Sequence, residues 1–126
     1  MNIKEETLFL IENILEKDPR YKTEAYGFVL AALTFTQKRF NKKKHVSGRE
    51  LLEGIRELAL DTYGPMTKSV FNHWGVRKTD DFGEIVFHLV ETKLLGRREE
   101  DQKEDFKDVY DFEKVFSKGY KIGSSA

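Results

Sequence analysis

The chain contains no cysteine. Disulfides, thiolate zinc sites, iron–sulfur clusters and cysteine nucleophiles are thereby excluded, and the composition suits a reducing compartment. Proline is scarce: Pro19 and Pro65 are the only two, and each lies where a helix is expected to stop or start. Long apolar runs are missing as well. Leu8–Ile11 is cut short by Glu12, and no stretch approaches the roughly 18 apolar residues needed to span a bilayer. Residues 1–6 lack the basic start of a secretory leader, so a cytoplasmic protein with no membrane partner is expected. Net charge is also lacking, because 22 Lys and Arg balance 22 Asp and Glu. The global field therefore gives no footprint for nucleic acid.

What is present is local patterning. Residues 37–49 carry Lys38, Arg39, Lys42, Lys43, Lys44 and Arg49 with no acid, whereas residues 97–114 hold eight acids against five bases. Apolar residues recur at helical spacing over 3–17 and 24–40, with Thr23 placed to cap the second of these helices. "SGRE" at Ser47–Glu50 reads as a capping box and fixes the start of a third helix, Gly48–Tyr63, which Gly64 and Pro65 end. A short helix over 66–74 follows, then Gly75. A longer helix over 80–95 is expected next, with Thr79 as its cap and Gly96 closing it. Gly27, Gly54 and Gly83 fall inside predicted helices, where close packing is the economical explanation.

The expected fold is all-α, a single-domain bundle of about five helices over 1–116. It contains a helix-turn-helix-like three-helix core, joined to the N-terminal helical pair by a basic linker at 38–46. A short aromatic and acidic C-terminal segment is expected to pack on the core, with a flexible tail at 117–126.

The stretch 64–96 has the outline of a DNA-reading motif, but three features oppose that use. Phe71 stands where a close helix crossing usually has a small side chain. "GVRKT" makes the turn long. Asp80, Asp81 and Glu84 begin the helix that would approach the phosphates. No catalytic, metal or cofactor-binding residue is expected. His88 and Glu91 stand three apart without a second such pair, and the glycines form no phosphate-binding loop.

The blocks "DPRY…EAYGFVLAAL", "HVSGRELLEGIRELAL", "YGPM", "HWGV", "TDDFGEIVFHLVE" and "EDFKDVYDF" together resemble a family of small uncharacterised bacterial proteins of the Minf type, over about residues 14 to 116. The resemblance implies a bacterial cytosolic protein whose C-terminal aromatic segment belongs to the domain. It brings no activity, cofactor or site residue. Two functional expectations follow from the residues themselves. The first is a non-enzymatic helical module with a protein partner. The second is a nucleic-acid or ribonucleoprotein-associated domain using Lys38, Arg39, Lys42, Lys43, Lys44, Arg49, Arg77 and Lys78. A small enzyme ranks behind both.

Overall fold

Ser47 begins the central helix. Its hydroxyl accepts the Glu50 amide at 3.0 Å while the Glu50 carboxylate accepts the Ser47 amide at 2.8 Å, so the capping box is formed. In the computed structural model, which describes residues 4–41, 46–95 and 103–118, five α-helices follow in order. They are α1 (Glu5–Lys17), α2 (Thr23–Arg39), α3 (Gly48–Tyr63), α4 (Thr67–Trp74) and α5 (Thr79–Glu91). Short 3₁₀ turns at Gly64–Met66 and Lys103–Phe106 and a π turn at Glu113–Lys118 are the other elements, and the described residues hold no strand. The all-α expectation is met.

The two longest helices, α2 and α3, run antiparallel. Phe28 meets Tyr63 with ring centroids 6.0 Å apart, while Thr36 meets Gly54 at the other end. A Cβ on Gly54 would come within 1.8 Å of Thr36 Oγ1, so this crossing admits only glycine. The Thr36 hydroxyl is itself held, donating to Ala32 O at 2.6 Å.

Phe71 is the centre of the core. It is fully buried, with the rings of Phe28, Trp74, Phe82, Phe112 and Phe116 at centroid distances of 5.2–5.8 Å. The size that made Phe71 awkward in a tight helix pair is thus accommodated because α4 and α5 meet through rings. The C-terminal segment supplies two of those rings and adds Phe106, which lies so close over Gly48 and Gly83 that a Cβ on either would meet it at 2.9 Å. The expected packing of the aromatic segment is observed.

Four local expectations require correction. Thr23 does not cap α2; Lys22 occupies that position without a side-chain bond, and its amide is taken by Trp74 O at 3.0 Å. Thr79 does not cap α5 either. It is buried, and its hydroxyl accepts the Val109 amide at 3.0 Å, while the Asp81 carboxylate accepts the Arg77 and Lys78 amides at 2.8 and 3.2 Å. The short helix begins at Thr67, because Gly64–Met66 forms a separate 3₁₀ turn. Finally, α5 stops at Glu91. Lys93 takes φ +66 and Leu94 N–H returns to Leu89 O at 3.0 Å, a terminating arrangement completed before Gly96, which lies outside the described residues.

Candidate functional site

The densest polar cluster joins α1, α2 and α5. Tyr26 Oη shares a hydrogen bond of 2.8 Å with His88 Nδ1, and His88 Nε2 lies 3.3 Å from Asp18 Oδ2. Asp18 in turn accepts a fork from Arg20 Nε and Nη2, which also reaches Glu84, and Glu84 accepts Lys103 at 3.2 Å. Arg20 holds the Asp18 carboxyl below its usual range, and the nearby His88 acts in the same direction. Burial pushes the Tyr26 hydroxyl above its usual range.

Tyrosine, histidine and aspartate in sequence suggest a proton relay, but the geometry serves a structural joint. Both ring nitrogens of His88 are engaged, and the phenol at the inner end belongs to a fully buried residue where no substrate reaches it. The neighbouring Tyr21 hydroxyl donates to Asp81 at 2.6 Å, joining the start of α2 to the start of α5. Among the described residues, no group of three or more His, Asp or Glu is disposed to hold a metal ion, and no buried side-chain nitrogen or oxygen lacks a partner.

The basic residues fall into two groups. Lys38 and Arg39 are exposed at the C-terminal end of α2, with Arg39 Nε donating to Glu57 at 3.0 Å. Arg49, exposed on the first turn of antiparallel α3, belongs to the same end. Arg77 and Lys78 are exposed in the turn between α4 and α5. That turn abuts the start of α2, since Lys22 N–H bonds Trp74 O and Gly75 backs onto Arg20 O. The length of α2, about 26 Å at 1.5 Å per residue, therefore separates the two groups. Lys42, Lys43 and Lys44 lie outside the described residues.

Arg77 and Lys78 instead share a cleft with residues 108–113 of the C-terminal aromatic and acidic segment. An open depression of about 520 Å³ is lined by the cations Lys68, Arg77 and Lys78, the acids Asp108, Asp111 and Glu113, and the rings of Tyr110 and Phe112. The two charges come from different parts of the chain. Cations stand on α4 and the turn after it; acids stand on residues 108–113. The Asp108 amide bonds Asp80 Oδ1 at 3.0 Å, fixing that end of the acidic stretch beside the start of α5, while Glu113 pairs with Lys68 on the first turns of α4. Residues 108–113 thus run antiparallel to α4, along its length of about 12 Å. Tyr110 is anchored below by its hydroxyl, which donates to Leu52 O at 2.7 Å.

The missed signal was the alternation in "DVYDFE". Tyr110 and Phe112 are more buried than Asp111 and Glu113, an alternation that ends where the Asp111 carboxylate accepts the Glu113 and Lys114 amides and the π turn begins. No protein-family model, curated protein or solved structure matches the chain.

Proposed function

We propose that the protein is a non-enzymatic helical module that binds a protein partner through the cleft between α4 and residues 108–113, acting in the bacterial cytoplasm. The observation that carries this reading is that the cleft is lined by three cations, Lys68, Arg77 and Lys78, together with three acids, Asp108, Asp111 and Glu113. A polypeptide brings both signs of charge and matches such a surface, whereas a phosphate backbone would be drawn to its cations and repelled by its acids. A second observation points the same way. The first turns of α5, which a helix-turn-helix would present to base edges, are covered by the C-terminal segment through the Thr79–Val109, Asp80–Asp108 and Gly83–Phe106 contacts.

The test uses lysines already present. Amine-reactive cross-linking of the full chain in an extract of its host cells, followed by peptide mass spectrometry, is expected to concentrate partner adducts on Lys68 and Lys78. The complex rebuilt from purified partner should weaken on Lys78→Glu. Adducts spread evenly over the surface lysines would overturn the reading. A parallel titration with labelled single strands and duplexes should give only weak, sequence-insensitive binding, and neutralising Lys42, Lys43 and Lys44 should lower its logarithmic salt slope by up to about 2 or 3 respectively. Tight, sequence-selective duplex binding lost on changes in α5 would establish the helix-turn-helix reading instead.

A further inference from the structure

We infer that the outer face of α1 seats a lysine of a basic protein partner beside Glu6 and over the ring of Phe9. The molecule itself shows what such a pair holds. On α5, Glu84 and Phe87 stand three residues apart, and Lys103 serves both. Its ammonium donates to the Glu84 carboxylate at 3.2 Å and lies 4.4 Å from the centroid of the Phe87 ring. Glu6 and Phe9 repeat that pair on α1 in the same order and at the same helical spacing. No cation of the described residues meets either of them. Phe9 is accordingly 63% exposed, against 44% for Phe87 beneath Lys103.

The rest of the face sets the chemistry of the occupant. Glu5, Phe9, Glu12 and Glu16 follow at spacings of four, three and four, so they line one side of the helix, away from the buried Ile11 and Ile14. All four are exposed. Glu12 and Glu16 are like charges one turn apart, and Glu16 stands in the last turn, where the helix dipole disfavours an acid. Neither has a side-chain partner among the described residues. A cation from outside the chain offsets both costs. The same carboxylates would repel a phosphate backbone or an anionic bilayer brought to the exposed ring. A lysine-bearing polypeptide is the matching partner, because it supplies an ammonium for Glu6 together with an apolar stem that covers Phe9. This face belongs to α1 and shares no residue with the cleft.

The probe is a labelled octapeptide with two lysines in a neutral Gly/Ala/Ser host, titrated into the full-length protein and followed by fluorescence anisotropy and amide chemical-shift mapping. The peptide should shift the amides of residues 5–12, and acetylating its lysines should remove the effect. Glu6→Gln and Phe9→Leu should each weaken binding about three-fold, the size of one exposed ion pair or cation–π contact. Phe9→Leu keeps an apolar surface and deletes the ring, so unchanged affinity in that variant would reduce the site to general attraction by acids and overturn the inference. Lys103→Ala uncovers the second pair, and the same peptide should then also shift residues 84–87. Failure there would remove the likeness between the two helices and overturn the inference as well. So would equal binding of the acetylated peptide, or no binding up to millimolar concentration. Mapping on unaltered protein guards against variants that fold poorly. The cross-linking result is read independently: partner adducts on Lys68 and Lys78 with no peptide shifts on α1 would sink this inference and leave the docking site standing.

Discussion

At the scale of single residues, Ser47 and Gly75 test the local chemistry most directly. Ser47 satisfies the Glu50 amide and receives the returning carboxylate, so Ser47→Ala strips one side of the box. The expected cost is about 1 kcal/mol, measured as a lower denaturant midpoint at unchanged slope. Gly75 carries two constraints. Its φ is +90, a region strongly disfavoured for a β-branched residue, and a Cβ there would stand 2.3 Å from Arg20 O. The carbonyl belongs to the turn leading into α2, beside the Lys22–Trp74 hydrogen bond, so relief by movement would disturb the junction of α2 with α4. Gly75→Val should therefore cost more than Ser47→Ala, beginning from the 1–3 kcal/mol typical of a residue held in such backbone. Wild-type thermal stability in Gly75→Val would contradict the turn as described.

At the scale of elements, what could be read in advance depended on the range of the interaction. The position of α3 was legible to the residue, because a capping box, an amphipathic stripe and a Gly-Pro stop are all local. The ends of α2 and α5 were not. Both have lysine at the cap position because the nearby threonine or amide is used by a distant part of the chain, Trp74 in one case and Val109 in the other. The cleft was hidden for the same reason. Arg77 and Lys78 could be named from sequence, but nothing local brings residues 108–113 back along α4; that follows from Phe106, Phe112 and Phe116 entering the core. Phe116 tests this dependence. It is fully buried against Phe71 and Phe112 at 5.3 and 5.2 Å, so Phe116→Ala should cost about 3–5 kcal/mol. The segment should also lose amide protection near Val109 and Tyr110 in hydrogen exchange. By contrast, Phe9 is 63% exposed on α1, and Phe9→Ser should stay within about 0.5 kcal/mol. A large Phe9 effect beside a small Phe116 effect would invert the assignment of the core.

At the scale of the whole molecule, zero net charge conceals an uneven arrangement in which a few ionic contacts tie distant parts together. Asp18 is the clearest of these, reached by Arg20 and His88, while Arg20 continues to Glu84 and Glu84 to Lys103. One carboxylate thus connects the end of α1 to α5 and, through Glu84, to the C-terminal segment. Because Arg20 holds the folded Asp18 carboxyl below its ordinary range, the folded state binds this proton less readily than the unfolded chain. The resulting stabilisation is full above the unfolded carboxyl value of about 3.9, and it is lost as pH falls through the lower folded value. Partial solvent access makes the contribution small, so the informative quantity is its pH dependence. Asp18→Asn should lower the melting temperature at pH 7 and leave the difference from wild type much reduced near pH 2. Arg20→Gln should reproduce most of that pattern, since the guanidinium is the main cause of the shift. A destabilisation of Asp18→Asn that stayed constant from pH 7 to pH 2 would instead assign Asp18 a role in packing or turn geometry.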